Sequence, residues 1–185
     1  MSNLQVICIG EALVDKIINK SDSSFKNYLG GAPANVVCAL RKLNVPACFI
    51  GCLGDDDFGK KFIKLFQQLN VNSDFLQIVT QSSTRIVNVM RDESGDRSFS
   101  GFEATKHSTF SDEILDKFLI NKNIENLKKQ FLNTKYIVTG TNLLAFSKSA
   151  ECLDFILDFA KNFRIKVIID VNWREIFWEK TNLNR

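Results

Sequence analysis

The chain has 185 residues, of which 45% are apolar and 24% are charged, as in a globular protein with one sizeable core. Its 24 Lys and Arg and 21 Asp and Glu give a net charge of +3 and are mixed along the chain. It has neither a basic run nor an apolar run of transmembrane length, so we expect no nucleic-acid and no membrane partner. Residues 1–4 lack the regions of a secretory signal peptide, and we expect a cytoplasmic protein.

In the first half of the chain, apolar strands alternate with amphipathic helices. Residues 6–9 form a short apolar run that predicts a buried strand. A helix is predicted over 33–43 and a second buried strand over 47–52. From Phe58 onward, apolar residues recur every three or four positions and predict a helix that ends near Asn70.

Residues 84–102 break this alternation. A polar turn at 92–96 lies between two short apolar runs, which predicts a β-hairpin. The pattern alone does not decide between a flap over a binding site and an edge hairpin without a function. Beyond it, the sequence predicts one or two polar helices within 111–132, a helix over 147–163, and strands over 136–139 and 167–170.

Apolar strands that alternate with amphipathic helices predict an α/β fold with a mostly parallel sheet covered on both faces. Ligands bind such sheets outside the carboxyl ends of the strands. Three polar segments fall at predicted strand ends, namely Gly10-Glu11, Thr139-Gly140 and residues 170–172. We therefore expect the binding site at this edge of the sheet.

The five cysteines lie mostly within apolar segments, at Cys8, Cys38, Cys48, Cys52 and Cys152. Cys48 and Cys52 could form a metal-binding or disulfide pair, but within one strand they would lie ~13 Å apart. Reduced cysteines that fill core space are the favoured interpretation. The single histidine, His107, has no second histidine with which to bind zinc, and its polar surroundings predict an exposed loop. No metal site is predicted.

The segment at 30–35, with the sequence GGAPAN, runs directly into a predicted helix. Gly30 and Gly31 allow the backbone to approach a ligand closely, because no Cβ stands in the way. Pro33 suits the first turn of a helix, and Asn35 can donate and accept hydrogen bonds one turn further on. The segment therefore predicts a pocket for a small polar ligand that carries hydroxyl groups.

A second glycine-containing segment, GDDDFGKK at 54–61, matches the start of a phosphate-binding loop. Lys61 replaces the Ser or Thr that would hold magnesium, and three aspartates would repel a polyphosphate. We interpret the segment as the acidic first turn of a helix. A dinucleotide-binding G-x-G-x-x-G does not follow the first predicted strand.

Several segments, taken in chain order, form a recognisable set. They are Gly10-Glu11 with Asp15, GGAPAN at 30–35, GCLGDDDFG at 51–59, Thr84 with DRSF at 96–99, and DVNWR at 170–174 with Trp178. Together they closely resemble the pfkB (ribokinase-like) carbohydrate kinases. The last segment resembles the D-x-N-x-R…W pattern of the fructokinase and ketodeoxygluconate kinase branch.

This resemblance implies a ribokinase-like, doubly wound sheet with a small β lid, whose strands fall near 12–28 and 84–103. Residues 1–185 would then be the N-terminal part of a single kinase domain. The implied activity is ATP-dependent phosphorylation of a sugar hydroxyl, on fructose or a ketodeoxygluconate rather than ribose or a nucleoside. ATP and Mg²⁺ are expected for the complete enzyme, and the lid strands could form a homodimer.

The resemblance also assigns roles in sugar binding. Asp15 would accept hydrogen bonds from sugar hydroxyls, and Asn35 would bind another hydroxyl. Gly30 and Gly31 would bring backbone amides to the sugar, and Phe102 would line the lid. From the residues alone, Asp15 could equally be a solvated charge and Asn35 a hydrogen bond within the helix turn.

Two residues after the last predicted strand are candidates for phosphate or sugar contacts. Arg174 could present its planar guanidinium to a phosphate or a sugar oxygen, assisted by Asn172. The alternative for Arg174 is a surface salt bridge with Glu175 or Glu179.

The family's D-T-x-G-A-G-D signature, which supplies the anion hole and the catalytic base, has no counterpart in this sequence. Gly-Asp occurs only at 54–55 and 95–96, and neither pair follows Gly-Ala. We therefore expect the C-terminal part of the family fold to be missing, assign no catalytic residue, and expect the isolated chain to be inactive. The alternatives to an enzyme are a truncated sugar-binding fragment and a misfolded remnant with an unpaired sheet edge.

Overall fold

The computed structural model describes residues 4–178, which form two β-sheets and five α-helices. In chain order the elements are β1 (Val6–Ile9), β2 (Leu13–Asn19), β3 (Phe25–Gly30), α1 (Ala32–Lys42), β4 (Ala47–Gly54), α2 (Asp57–Gln68), β5 (Asn72–Val79), β6 (Ile86–Arg91), β7 (Arg97–Glu103), α3 (Lys117–Lys122), α4 (Ile124–Phe131), β8 (Tyr136–Gly140), α5 (Ser147–Asn162) and β9 (Lys166–Asp170). Short 3₁₀ helices lie at Ser111–Glu113, Asn142–Ala145 and Glu175–Phe177.

The main sheet has five strands in the order β5-β4-β1-β8-β9, and every pair in it is parallel. This confirms the predicted α/β fold, because parallel neighbours require the helical crossovers that the alternating pattern indicated. β5 was not predicted from the sequence. It is an edge strand in which only Phe75 and Gln77 are buried, so it lacks the continuous apolar run of the central strands.

Both faces of the main sheet are covered, as a doubly wound fold requires. Successive residues of β1 point to opposite faces, so Ile7 and Ile9 join one core and Val6 and Cys8 join the other. The first core packs against α3, α4 and α5, and the second against α1 and α2. The main sheet thus buries β1 completely and fixes the position of the residues that follow it.

The second sheet is mixed and has the order β3-β2-β6-β7. β2 pairs antiparallel with β3 and parallel with β6, and β6 and β7 form the predicted hairpin. Gly95 takes a φ of 88° in its turn, where the left-handed backbone favours glycine. The strands lie in the segments that we predicted as lid strands, and β3 extends further, to Gly30.

Capping residues set the ends of the first two helices. Asp56 caps α2, because its Oδ1 accepts the Gly59 N–H at 2.9 Å. Asn70, just beyond α2, has a φ of 55°, and Asn44, just beyond α1, has a φ of 60°. Asparagine tolerates this left-handed geometry at a helix end better than most residues.

The cysteines agree with the burial predicted from the sequence, whereas the histidine does not. All five cysteines are free thiols, and four of them are buried, as core-filling residues should be. His107 lies in a loop, but it is half-buried rather than exposed as predicted, because its backbone N–H donates to Ser83 Oγ at 2.8 Å. Among the residues that the structure describes, no helix is both long enough and apolar enough to span a bilayer.

Candidate functional site

A cavity of about 210 Å³ lies between the carboxyl ends of the central strands and the inner face of the second sheet. Its apolar wall comes from alternate residues of β2 and β6, including Leu13, Ile17, Val87 and Val89. Its polar side chains come from six different parts of the fold: Glu11, Asp15, Asn35, Arg97, Asn142, Asn172 and Arg174. The cavity therefore combines an apolar wall with a few convergent polar groups, which is typical of a site for a small polar molecule.

The structure brings most of the predicted site residues together here. Asp15, Gly31, Asn35, Asn172 and Arg174 all line the cavity, although they are distant in sequence. They meet because β2, the start of α1 and the segment after β9 all reach the same end of the main sheet. Their roles toward a ligand remain predictions.

Gly30 supports the cavity indirectly. A Cβ on this glycine would lie 2.5 Å from Asp15 Oδ2, so its absence leaves room for the carboxylate. Gly31 has a φ of 96°, and a Cβ there would lie 2.5 Å from the Glu11 backbone oxygen. The two glycines thus let the chain turn closely past β2 into α1.

Asp15 is the acidic group on the lid side of the cavity. Burial raises the pKa of its carboxyl, and the guanidinium groups of Arg97 and Arg174 oppose this increase. Two cations and one carboxylate therefore share the cavity. In this arrangement the Asp15 carboxylate can accept hydrogen bonds from hydroxyl groups of a ligand, and the two arginines can donate hydrogen bonds to its oxygen atoms.

Arg174 does not form the alternative salt bridge with Glu175 within residues 4–178. Its guanidinium instead lies over the Phe99 ring, 4.9 Å from the ring centroid. Glu179, the other proposed partner, lies outside the described residues. The contact with Phe99 leaves the edges of the guanidinium available to a ligand.

Glu11 was not predicted as a site residue, although it stands at the end of β1. It is 2% exposed, and its Oε1 accepts hydrogen bonds from the Ala32 N–H and from Asn142 Nδ2, each at 3.2 Å. Burial raises the pKa of its carboxyl to about 7. Its place directly after an apolar strand was the signal that could have identified it.

Arg97, Phe99 and Asn142 are three further lining residues that sequence reasoning missed. Arg97 and Phe99 were noted only as part of a lid segment, and their side chains share a face of β7 because they are two residues apart. Asn142 lies in the 3₁₀ helix after β8. Nothing in its local sequence distinguishes it from a turn residue.

Phe102 does not line this cavity, although we predicted it as a substrate-binding residue. It contacts Arg85, which is buried among the rings of Phe102, Phe110, Phe146 and Phe177. Arg85 and Phe102 line a second, neighbouring cavity. Phe177 lines both this second cavity and the one that contains Asp15, and its ring centroid lies 5.0 Å from that of Phe102. Phe102 is therefore part of the packing behind the site.

The segment that resembled a phosphate-binding loop is filled by its own side chain. Besides capping α2, Asp56 accepts the Thr84 N–H at 2.7 Å and the Thr105 hydroxyl at 2.8 Å through Oδ2. These hydrogen bonds lower the pKa of its carboxyl against the effect of burial. The N-terminus of α2 is thus already occupied by a carboxylate and does not hold a phosphate.

The expected cofactors fit the described residues to different degrees. Arg174 and Asn172 offer donors that suit a phosphate oxygen of ATP at the cavity wall. Residues 4–178 contain no group of three or more His, Cys, Asp and Glu side chains that could hold a metal ion. A Mg²⁺ ion held by one or two carboxylates together with substrate phosphates would not require such a group.

The doubly wound sheet, the small second sheet and the cavity between them define a class of α/β proteins with a pocket of mixed polar and apolar lining at the sheet edge. The pfkB family carbohydrate kinase model matches residues 3–182. The chain belongs to the pfkB family of carbohydrate kinases.

Relatives within the family include several named sugar kinases. The chain is 26% identical over 180 residues to an ATP-dependent 6-phosphofructokinase of Thermoanaerobacterium thermosaccharolyticum, covering 95% of this chain and 52% of that protein. It is 28% identical over 170 residues to probable fructokinase-5 of Arabidopsis thaliana, covering 86% and 51%. The chain thus spans about half the length of the curated relatives that it matches.

Solved structures of the family have the same fold. A fructokinase from Xylella fastidiosa with bound ATP superposes with a TM-score of 0.81 at 25% identity, covering 97% of this chain and 52% of that one. A Halothermothrix orenii fructokinase superposes with a TM-score of 0.75 at 22% identity, which supports the fold alone. These similarities confirm the ribokinase-like fold and the fructokinase-like branch that the motifs indicated.

Proposed function

We propose that the cavity around Asp15 is the sugar-binding site of an ATP-dependent carbohydrate kinase, with fructose or a related sugar as substrate. The observation that carries this proposal is the convergence of Asp15, Gly31, Asn35 and Arg174 on one cavity. These residues come from separate motifs of the family, and chance packing would not require them to meet. Relatives named as fructokinases and as 5-dehydro-2-deoxygluconokinases support this range of sugars.

Each side chain has a definite part in this proposal. Asp15 accepts hydrogen bonds from sugar hydroxyls, and Asn35 binds another hydroxyl from the first turns of α1. Gly30 and Gly31 keep the backbone close and leave space for the Asp15 carboxylate. Such contacts hold the sugar in one orientation, which is the main requirement for phosphoryl transfer.

Arg174 and Asn172 are proposed to face the phosphate or a sugar oxygen. When bound, ATP supplies the transferred phosphoryl group, and a guanidinium at the cavity wall can stabilise the negative charge that develops on it. The homodimer through the lid strands and the cytoplasmic location stay predictions.

The second candidate is a sugar-binding fragment that does not turn over. The observation in its favour concerns the two Gly-Asp pairs of the sequence. The pair at 54–55 leads into a helix whose N-terminus is occupied by Asp56, and the pair at 95–96 forms a hairpin turn. Neither pair lines the cavity, so neither places its aspartate beside the sugar.

An ATP turnover assay separates the two candidates. We expect the 185-residue chain to form no ADP above background with D-fructose, ATP and Mg²⁺, because its sequence contains no Gly-Ala-Gly-Asp segment. Turnover that Asp15→Ala abolishes would contradict the inactive fragment and assign the activity to this chain. A longer protein whose sequence continues into Gly-Ala-Gly-Asp should phosphorylate the sugar. Asp15→Ala should abolish that activity as well.

A further inference from the structure

Two buried polar atoms, in side chains that line the cavity, have no hydrogen-bond partner among residues 4–178. They are Glu11 Oε2 and Asn142 Oδ1, in side chains that are 2% and 6% exposed. Both side chains line the cavity that contains Asp15. A buried polar atom without a partner costs free energy, so a water or a ligand group that pairs with these two atoms stabilises the folded chain.

The existing hydrogen bonds decide what each free atom can do. Glu11 Oε1 already accepts two N–H groups, from Ala32 and from Asn142 Nδ2. A proton on this carboxyl therefore resides on Oε2, which then donates. Because the Asn142 amide uses its nitrogen for Glu11, its free oxygen accepts. Two side chains that are hydrogen-bonded to each other thus carry one free donor and one free acceptor.

We propose that Glu11, in its protonated form, and Asn142 together bind one hydroxyl of the sugar in this cavity. A hydroxyl is the common sugar group that can accept from Glu11 Oε2–H and donate to Asn142 Oδ1 at the same time. The pair therefore selects a substrate that carries a free hydroxyl at its buried end. This inference rests on the proposed sugar-binding function and adds two residues to it.

The surrounding charges are consistent with a protonated Glu11. Burial is the largest cause of the increase in its pKa, and the nearby carboxylate of Asp112 adds to it. Asp15, Arg97 and Arg174 are the other ionisable groups that line the cavity. Glu11 is the lining group whose pKa burial raises to about 7, and burial also raises the pKa of the Asp15 carboxyl.

The pH dependence of D-fructose binding to the 185-residue chain tests the inference. We expect the affinity of the wild type to fall about tenfold or more between pH 6.5 and 8.5, because Glu11 loses its proton. Glu11→Gln keeps a neutral donor at the same place, so its affinity should be nearly constant over this range. Asn142→Ala should bind about tenfold more weakly at both pH values, with unchanged far-ultraviolet circular dichroism.

Glu125→Gln is the matched control, since Glu125 is an exposed residue of α4 that pairs only with Lys128. It should reproduce the pH profile of the wild type. If the wild type binds D-fructose and Asp15→Asn weakens binding, but Glu11→Gln keeps the wild-type pH profile, this inference is wrong and the proposed function stands. If the wild type does not bind D-fructose at either pH, the proposed function fails and this inference fails with it.

Discussion

At the scale of single residues, the two adjacent glycines at 30 and 31 have separable roles. Gly30 has an ordinary backbone conformation, and an added Cβ would meet only the end of the flexible Asp15 side chain. Gly31 has a φ of 96°, and an added Cβ would meet the backbone of Glu11. The first glycine therefore serves the cavity, and the second serves the fold.

Alanine substitutions should reveal this difference. Gly30→Ala should lower the free energy of unfolding by less than about 1 kcal/mol while weakening D-fructose binding roughly tenfold, because it displaces the Asp15 carboxylate. Gly31→Ala should lower the free energy of unfolding by about 2 kcal/mol or more. Urea denaturation and calorimetric titration measure the two quantities. Equal losses of stability in both variants would contradict the assignment.

At the scale of elements, Arg85 lies directly before β6 and contacts the 3₁₀ helix at Ser111–Glu113. Its guanidinium donates to Asp112 through Nε and Nη2 at 2.9 and 3.0 Å, and both side chains are 2% exposed. Nη2 also donates to Glu113 at 2.7 Å. Four aromatic rings enclose the remaining surface of the guanidinium. The pair therefore joins the residue before β6 to the 3₁₀ helix at Ser111–Glu113.

Arg85→Met should therefore lower the free energy of unfolding by about 3–5 kcal/mol, because it leaves the Asp112 carboxylate buried without a partner. Lys128→Met is the comparison, since the Lys128–Glu125 pair of α4 is exposed and should contribute at most about 1 kcal/mol. Urea denaturation of both variants measures the difference. A loss below 1 kcal/mol for Arg85→Met would contradict a structural role for the pair.

The sequence predicts elements best where one physical signal dominates. The central strands are buried on both faces, so their continuous apolar runs identified them, whereas the half-exposed edge strand β5 gave no such run. Asp15 and Asn35 were found because they belong to recognisable motifs. The position of Glu11 at the end of a predicted strand was recognised, but its pairing with Asn142 was not, because that contact joins residues 131 positions apart.

At the scale of the whole molecule, β9 forms one edge of the main sheet within the described residues. All its residues are exposed, including Val167, Ile168 and Ile169 at 40%, 49% and 54%. Alternate side chains of a strand face opposite ways, so apolar side chains are exposed on both faces here. Such a surface is typical of a strand that another segment or chain covers.

The cavity that contains Asp15 lies at the same end of the sheet as the residues that follow β9. Asn172 and Arg174 reach it from β9, whereas Asp15 reaches it from the second sheet. The cavity is therefore assembled only when both sheets are correctly placed. Binding of a sugar by this chain would show that the described residues fold into a cavity that binds a sugar.

Calorimetric titration of D-fructose into the wild type and Asp15→Asn tests the central claim most directly. Asp22→Asn is the matched control, because Asp22 is exposed in the turn between β2 and β3 and its Oδ1 accepts the Ser24 N–H as asparagine can. We predict saturable binding to the wild type and Asp22→Asn, and affinity at least tenfold weaker for Asp15→Asn. Equal affinity in all three proteins, or no binding to any of them, would contradict the sugar site.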